Sequence, residues 1–243
     1  MTQLQQPAGY GDVIAAQASD ETRADFIRKT YLHLAGAIIC FIGIELIIFQ
    51  TVDVAGLTRS MIGGWMWLIV LGLFMVVSWI ARSWADSTTS VPMQYTGLGL
   101  YVVAQAVIFV PLLYLASELS VRTGGSSIIG TAAIGTLLTF GALTGFVMLT
   151  GKDFSFLGGI LCIGGIAALV VIVASIIIGF SLGIVFTVLM IALACGYILY
   201  DTSNVMHHYR IGQHVAASLA LFASVALLFW YAIRLVMYLQ SEE

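Results

Sequence analysis

Charged residues are scarce in this sequence. Asp, Glu, Lys and Arg make up 9% of its 243 residues, whereas soluble domains contain about a quarter. Hydrophobic residues make up 60% of the chain. Because one soluble core cannot hide this much apolar surface, the composition predicts that lipid is the solvent for most of the protein.

An excess of charge of either sign and a disulfide framework are also missing. The formal net charge is −3 at pH 7, and without a basic patch nucleic acid is not an expected partner. The cysteines, Cys40, Cys162 and Cys195, lie inside apolar runs. They are therefore predicted to be buried small hydrophobic residues rather than a disulfide set.

The first 25 residues form a polar segment without the apolar core and cleavage site of a signal peptide. We interpret residues 1–25 as a cytoplasmic tail that is mobile to about residue 22, and residues 26–243 as a membrane domain. The domain contains seven apolar runs of roughly the ~20 residues that cross a bilayer, at about 30–50, 63–82, 93–116, 127–149, 155–178, 181–206 and 214–239. Because the period-two pattern of a barrel is absent, these runs predict seven helices.

Lysine and arginine predict the orientation of the helices. With the N-terminus inside, the following residues fall on the cytoplasmic side: Arg23, Arg28, Lys29, Arg82, Lys152 and Arg210. Three others, Arg59, Arg122 and Arg234, fall outside. Positive charge favours the cytoplasmic side, so the N-terminus is predicted to be cytoplasmic. Short loops and the lack of organelle signals favour a bacterial inner membrane.

Two acids occur inside apolar runs, where an ionisable group costs at least a few kcal/mol and tends to mark a function or a fixed partner. Asp201 lies near the end of the sixth run, in Tyr197-Ile198-Leu199-Tyr200-Asp201. Glu45 lies in the first run. It either binds a cation from the outer vestibule or faces the outer lipid boundary with a bound water, and Gln105 is a candidate hydrogen-bond partner.

Three motifs occur in the order found in the Bax-inhibitor-like family, also called the transmembrane BAX inhibitor motif family. They are Phe26-Ile27-Arg28-Lys29-Thr30-Tyr31, Lys152-Asp153-Phe154-Ser155-Phe156-Leu157, and the segment ending at Asp201. The resemblance covers essentially everything after residue 25. It implies an all-α integral membrane protein in which six helices wrap a central seventh, without enzymatic activity, and associated with a pH-sensitive calcium leak.

The resemblance also implies a site. In the calcium-leak members, an aspartate ending the sixth helix pairs with an aspartate in the seventh, and an arginine ending the second helix locks the pair. Asp201 and Arg82 match the first aspartate and the arginine. Ser224, ten residues before Arg234, stands where the second aspartate is expected. A serine there removes the shared-proton pair and is similar to the bacterial branch that resembles modulators of a membrane-anchored AAA+ metalloprotease.

Helix geometry is compatible with this site. The rise of 1.5 Å per residue places Asp201 about 10 Å from the end of its helix and Ser224 about 15 Å along the next, so the two can share one depth. Arg82 and Asp201 then form either a charged plug or a structural salt bridge. A plug built on one carboxylate beside a cation is expected to open only at acid pH.

Other chemistries are not expected. Asp201 has no second intramembrane aspartate for an aspartyl protease dyad. Gly124-Gly125-Ser126-Ser127 is not a nucleophile elbow. His207, His208 and His214 have no completing carboxylate or thiolate, and we interpret them, with Arg210, as capping the sixth helix rather than binding metal.

We therefore expect a non-enzymatic membrane protein without a cofactor, other than calcium if it is bound. The first hypothesis is a pH-sensitive calcium or cation leak gated near Asp201, Arg82 and Ser224, with Glu45 as a candidate cation ligand. The alternative is an interaction protein that binds a membrane-anchored protease and transports nothing.

Overall fold

The computed structural model describes residues 13–63, 65–87, 90–124 and 127–241. A 3-10 helix, Ala15–Gln17, precedes the α-helices. The described residues form eight α-helices: α1 Asp20–Thr51, α2 Val54–Ile62, α3 Met66–Ala85, α4 Val91–Thr123, α5 Ile128–Thr150, α6 Leu157–Ile178, α7 Ile184–His207 and α8 His214–Ser241. All except α2 are long and apolar enough to cross a membrane, which confirms the predicted seven-span helical fold.

Short polar residues and glycines explain where several helices begin and end. The hydroxyls of Ser19, Ser90 and Ser127 accept backbone N–H groups at the first turns of α1, α4 and α5. Such caps satisfy donors that have no partner inside the helix. At the other ends of α4 and α5, Gly124 and Gly151 adopt φ values of 61° and 60°, the left-handed conformation that glycine adopts without a steric penalty.

The helix α8, which is the seventh of the candidate membrane-spanning helices, is the centre of the bundle, as the family resemblance implied. It packs against α1, α3, α4, α5 and α7, and many of its side chains are buried, including Leu219, Leu221 and Ile233. The arrangement differs from a simple ring around α8 because α6 packs mainly against α7. The helix α7 therefore separates α6 from much of the centre.

The first helix begins earlier than its apolar run. It starts at Asp20 instead of about residue 30, because the Ser19 cap and two ion pairs on its surface, Arg23–Asp20 and Lys29–Asp25, extend it. Residues 13–19 are ordered, in contrast to the predicted mobile tail, and Ile14 forms a β-bridge with Arg210. Residues 1–12 of that predicted tail lie outside the described part of the chain.

Two further expectations differ from the structure. The short helix α2 was not predicted, because its nine residues are too few to give an apolar run of spanning length. Cys40 and Cys162 are exposed on the surface of the bundle, and Cys195 is half-buried. The apolar surroundings that suggested burial for these cysteines are therefore partly the outer surface of a membrane protein.

Glycines permit the close helix contacts that shape one side of the bundle. A Cβ on Gly97 of α4 would lie 2.5 Å from the backbone oxygen of Ala81 in α3. A Cβ on Gly158 of α6 would lie 2.9 Å from the ring of Tyr200 in α7. Small residues let helix backbones approach closely in membranes. These two contacts place the last turn of α3 and the side of α7 that carries Tyr200 beside one cavity between the helices.

Candidate functional site

A cavity of about 820 Å³ lies between α3, α4, α6, α7 and α8. Apolar and aromatic residues such as Trp67, Phe74 and Trp230 form much of its wall. Its polar lining is contributed by the following side chains: Arg82, Tyr101, Gln105, Ser175, Tyr197, Tyr200, Asp201, Ser224, Tyr231 and Arg234. This combination of an apolar wall with a few convergent polar groups is typical of a binding site.

The structure brings Asp201 and Ser224 together inside this cavity. The Ser224 hydroxyl donates a hydrogen bond to Asp201 Oδ2, and the two side chains are 8% and 5% exposed. The equal depth expected from helix rise is therefore observed. A charge-assisted hydrogen bond of this kind stabilises a buried carboxylate much more than contact with apolar groups alone.

The predicted locking arginine lies in the same cavity but does not contact the carboxylate. The Arg82 guanidinium carbon lies over the ring of Tyr101, 5.4 Å from its centroid. Among the ion pairs between described residues, none joins Arg82 to Asp201. Asp86 follows Arg82 by one helical turn, and burial raises the pKa of Asp86 while the charge of Arg82 opposes that rise. In this conformation Arg82 is a cation beside the site, held on an aromatic face.

A second arginine closes the opposite end of the cavity. Arg234 Nη2 donates a hydrogen bond of 3.3 Å to the carbonyl oxygen of Leu182, in the turn between α6 and α7. The Tyr238 hydroxyl donates to the same carbonyl oxygen. Ser224 and Arg234 are ten residues apart on α8, so the cavity extends roughly 15 Å along that helix. It therefore reaches from the buried Asp201 towards the other end of the bundle.

A loop outside the cavity fixes the end of α7 near Asp201. Asp153 Oδ1 accepts the Ser203 hydroxyl at 3.1 Å, and Asp153 Oδ2 lies 3.0 Å from His208 Nε2. The backbone N–H of Ser155 donates to Asp153 Oδ1 at 2.8 Å. These hydrogen bonds, that of the Ser155 N–H foremost, hold the pKa of Asp153 well below its usual range. We call this set of contacts the α7 latch.

The three histidines have separate partners. His207 Nδ1 lies 3.0 Å from the Ser203 carbonyl oxygen, as expected for a residue that caps the end of α7. His208 belongs to the α7 latch. The His214 ring instead packs on His33, with centroids 4.9 Å apart. In the part of the chain that the structure describes, no group of three or more His, Cys, Asp or Glu side chains could hold a metal ion.

Glu45 does not belong to the Asp201 cavity. It is 6% exposed and lines a separate cleft between α1, α4, α5 and α8. Gln105, its expected hydrogen-bond partner, lines the Asp201 cavity instead, and its buried amide oxygen accepts no hydrogen bond from the residues that the structure describes. The expected pairing is therefore wrong, because α4 directs Gln105 to the opposite side of α8 from Glu45.

Sequence reasoning did not identify Tyr101 or the α7 latch. Nothing in the sequence distinguishes Tyr101 from other aromatic residues of an apolar helix. The Lys152-Asp153-Phe154-Ser155-Phe156-Leu157 segment was recognised as a motif, but its contact with Ser203 joins residues 50 positions apart. Only the packing of α6 on α7 shows that these residues meet.

The fold and the buried carboxylate site define a multi-pass helical membrane protein. A model of the family described as "Inhibitor of apoptosis-promoting Bax1" matches residues 23–242, and the chain belongs to this family. It is similar to Protein LIFEGUARD 4 of Arabidopsis thaliana, with 26% identity over 216 residues that cover 87% of this chain and 83% of that protein.

Two further relatives match shorter regions. BI1-like protein of Arabidopsis thaliana is 31% identical over 110 residues, 43% of each chain. Bax inhibitor 1 of Schizosaccharomyces pombe is 30% identical over 110 residues, which cover 44% of this chain and 41% of that protein. The family resemblance noted from the motifs is therefore confirmed over most of the chain.

Proposed function

We propose that this protein is a non-enzymatic cation leak, with calcium as its ion, gated near Asp201 and Arg82. The observation that carries the proposal is a buried carboxylate in a cavity of about 820 Å³ that reaches along the central helix. An intramembrane acid that faces a cavity is typical of an ion pathway. The predicted topology, with a cytoplasmic N-terminus in a bacterial inner membrane, is part of this proposal.

Oxygen ligands for a hard cation are available around Asp201. Calcium binds six to eight oxygens from carboxylates, carbonyls and water. The cavity offers the Asp201 carboxylate and the Ser224 hydroxyl, and the Gln105 side chain lines it as well. Water would complete the coordination of an ion in a cavity of this size. The site therefore suits a weakly held, partly hydrated cation, as a leak requires.

Arg82 supplies the barrier in this proposal. Its positive charge lies in the same cavity as Asp201 without neutralising it through a direct ion pair. A cation that reaches Asp201 must approach this charge, and repulsion between like charges is strong where water is excluded. Movement of the guanidinium away from the cavity, or its replacement by a neutral side chain, is expected to increase the leak.

Calcium flux into proteoliposomes, between about pH 5 and pH 8, tests the proposal. We expect wild-type protein to leak, Asp201→Asn to lose about tenfold or more of the flux, and Arg82→Gln to increase it. Asp20→Asn is the matched control, because that aspartate is fully exposed at the start of α1. A leak that is equal in wild type and Asp201→Asn at every pH would refute gating at this carboxylate.

One observation favours the second candidate function, an interaction protein that restrains a membrane-anchored protease. The only acid lining the cavity among the described residues is Asp201, since Ser224 stands in the place of the second aspartate. The shared-proton sensor implied by the family is therefore incomplete. If wild type is silent and Ser224→Asp leaks, the pathway has lost its sensor and the interaction hypothesis is preferred. Removal of residues 2–12, which spares the ordered segment beginning at residue 13, then tests whether the tail binds the protease.

A further inference from the structure

Three rings from different helices meet where the central helix begins. His33 of α1 packs on His214, the first residue of α8, with ring centroids 4.9 Å apart. The centroid of the Tyr95 ring of α4 lies 5.5 Å from that of His33. Both histidines are half-buried. The contact between the two imidazoles therefore joins α1 to the start of the helix on which the bundle is centred.

His33 can carry a proton without losing either of its hydrogen bonds. Its Nδ1 lies 2.7 Å from the Lys29 carbonyl oxygen, which can only accept, so Nδ1 carries a hydrogen in either state of the ring. Its Nε2 lies 2.9 Å from the Tyr95 hydroxyl oxygen. A neutral ring accepts the hydrogen of that hydroxyl, and a protonated ring donates to its oxygen. Tyr95 is the titratable group of α4 at this contact, and a phenol is neutral at physiological pH.

The surroundings of His214 oppose a second proton. The titratable groups that act on it most strongly are His33, Lys29 and Asp25, all on α1. Asp25 forms ion pairs of 2.8 Å and 2.7 Å with Arg28 and Lys29, which neutralise its charge. Among the ion pairs between described residues, none includes His33 or His214. The start of a helix also carries partial positive charge, so a cation at His214 beside a protonated His33 is repelled.

We propose that His33 and His214 form a pH-sensitive joint between α1 and α8, which holds with one proton and separates when both rings are protonated. An unperturbed histidine titrates at about pH 6.5, so mild acid supplies the second proton. The closed joint binds fewer protons than the separated one, so its stability is present at neutral pH and is lost as the pH falls through the midpoint of the second proton. The joint is separate from Asp201, and it goes beyond the proposed leak because it requires no ion flux.

Titration of the histidine NMR signals of the protein in lipid nanodiscs, from about pH 5 to pH 8, tests the proposal. The chain has four histidines, so substitution assigns each signal. We expect His33 to bind its proton first and His214 second. His33→Gln should raise the midpoint of His214 by about one pH unit, because the repelling charge is removed. The matched control is His207→Gln, whose partner is the Ser203 carbonyl oxygen, and it should shift neither midpoint.

Hydrogen exchange of the wild-type protein tests the separation itself, and it needs no substitution that might prevent folding. After correction for the intrinsic rate, backbone N–H groups of residues 217–221, early in α8, should exchange about tenfold faster at pH 5 than at pH 7, because one pH unit of coupling is tenfold in an equilibrium constant. Residues 232–238, late in the same helix, should show no such change. Equal midpoints of His214 in wild type and in a folded His33→Gln, or exchange early in α8 that is independent of pH in wild type, would each overturn the proposal.

Discussion

The two buried acids of this bundle lie on opposite sides of α8 in contrasting surroundings. Asp201 accepts a hydrogen bond from Ser224 and shares its cavity with Arg82. Glu45 lies among phenylalanines, and no described residue donates a hydrogen bond to its carboxyl oxygens. Ala226 lines both cavities, so α8 is the wall between them. The contrast shows that burial alone does not define a role: Asp201 has a hydrogen-bond partner within the protein, whereas the Glu45 carboxyl has none among the described residues.

Substitution of Gly97 should disturb the Asp201 cavity and leave the Glu45 cleft unchanged. Gly97→Ala places a Cβ 2.5 Å from the Ala81 carbonyl oxygen, and backbone cannot move aside as a side chain can. We expect a loss of about 3 kcal/mol of stability and a shifted Arg82. Thermal unfolding in detergent measures the first effect.

The control for this substitution is Gly99→Ala, because a Cβ at Gly99 meets nothing within 4 Å. Equal unfolding temperatures for Gly97→Ala and Gly99→Ala would show that α3 and α4 are not in tight contact.

The same substitution at the two acids should have opposite effects on stability. Asp201→Leu leaves the Ser224 hydroxyl without its acceptor and should destabilise the protein by about 2 kcal/mol. Glu45→Leu replaces a carboxyl that has no partner among the described residues with an apolar side chain in an apolar cleft, and should stabilise the protein by about 1–2 kcal/mol. Thermal unfolding of both variants under one condition checks the signs. Destabilisation by Glu45→Leu would mean that the carboxyl has a partner.

Removal of the Tyr101 ring, which the Arg82 guanidinium covers, should alter only the Asp201 cavity. Tyr101→Leu abolishes the contact between the guanidinium and the ring, at a cost of about 1 kcal/mol. Tyr101→Phe retains the ring and should resemble wild type. If Arg82 is the barrier, the leucine variant changes the calcium leak and the phenylalanine variant does not. Equal fluxes from the two variants would show that the ring does not position Arg82.

The α7 latch should give the smallest effect, with a defined pH dependence. Its aspartate has a lowered pKa in the folded protein, so it contributes stability above its unfolded pKa of about 3.9 and loses it as the pH falls through the folded value. Asp153 is half-exposed, so Asp153→Asn should cost only about 0.5 kcal/mol at neutral pH. The difference from wild type should shrink only below about pH 4. A difference that vanishes between pH 5 and pH 7 would contradict the lowered pKa.

Helix number, type and order were predictable from the sequence, because apolar runs of spanning length have few alternative structures in lipid. The shared depth of Asp201 and Ser224 was also predictable, since the rise along two helices joined by a short loop sets it. The direction of a side chain around its helix was not predictable. Gln105 and Glu45 each occur in an apolar run, and only packing around α8 shows that they face different cavities.

The α7 latch has a consequence for how α7 sits in lipid. A membrane helix can turn one apolar face or another towards lipid without exposing apolar surface to water. The hydrophobic effect therefore does little to fix the rotation of such a helix about its own axis. The Asp153 carboxylate removes that freedom, because it binds Ser203 and His208 together. Ser203 follows Asp201 by two residues, so a rotation of α7 that carried Asp201 out of its cavity would break both contacts. The direction in which the buried acid points is thus determined partly by a loop residue outside the bundle.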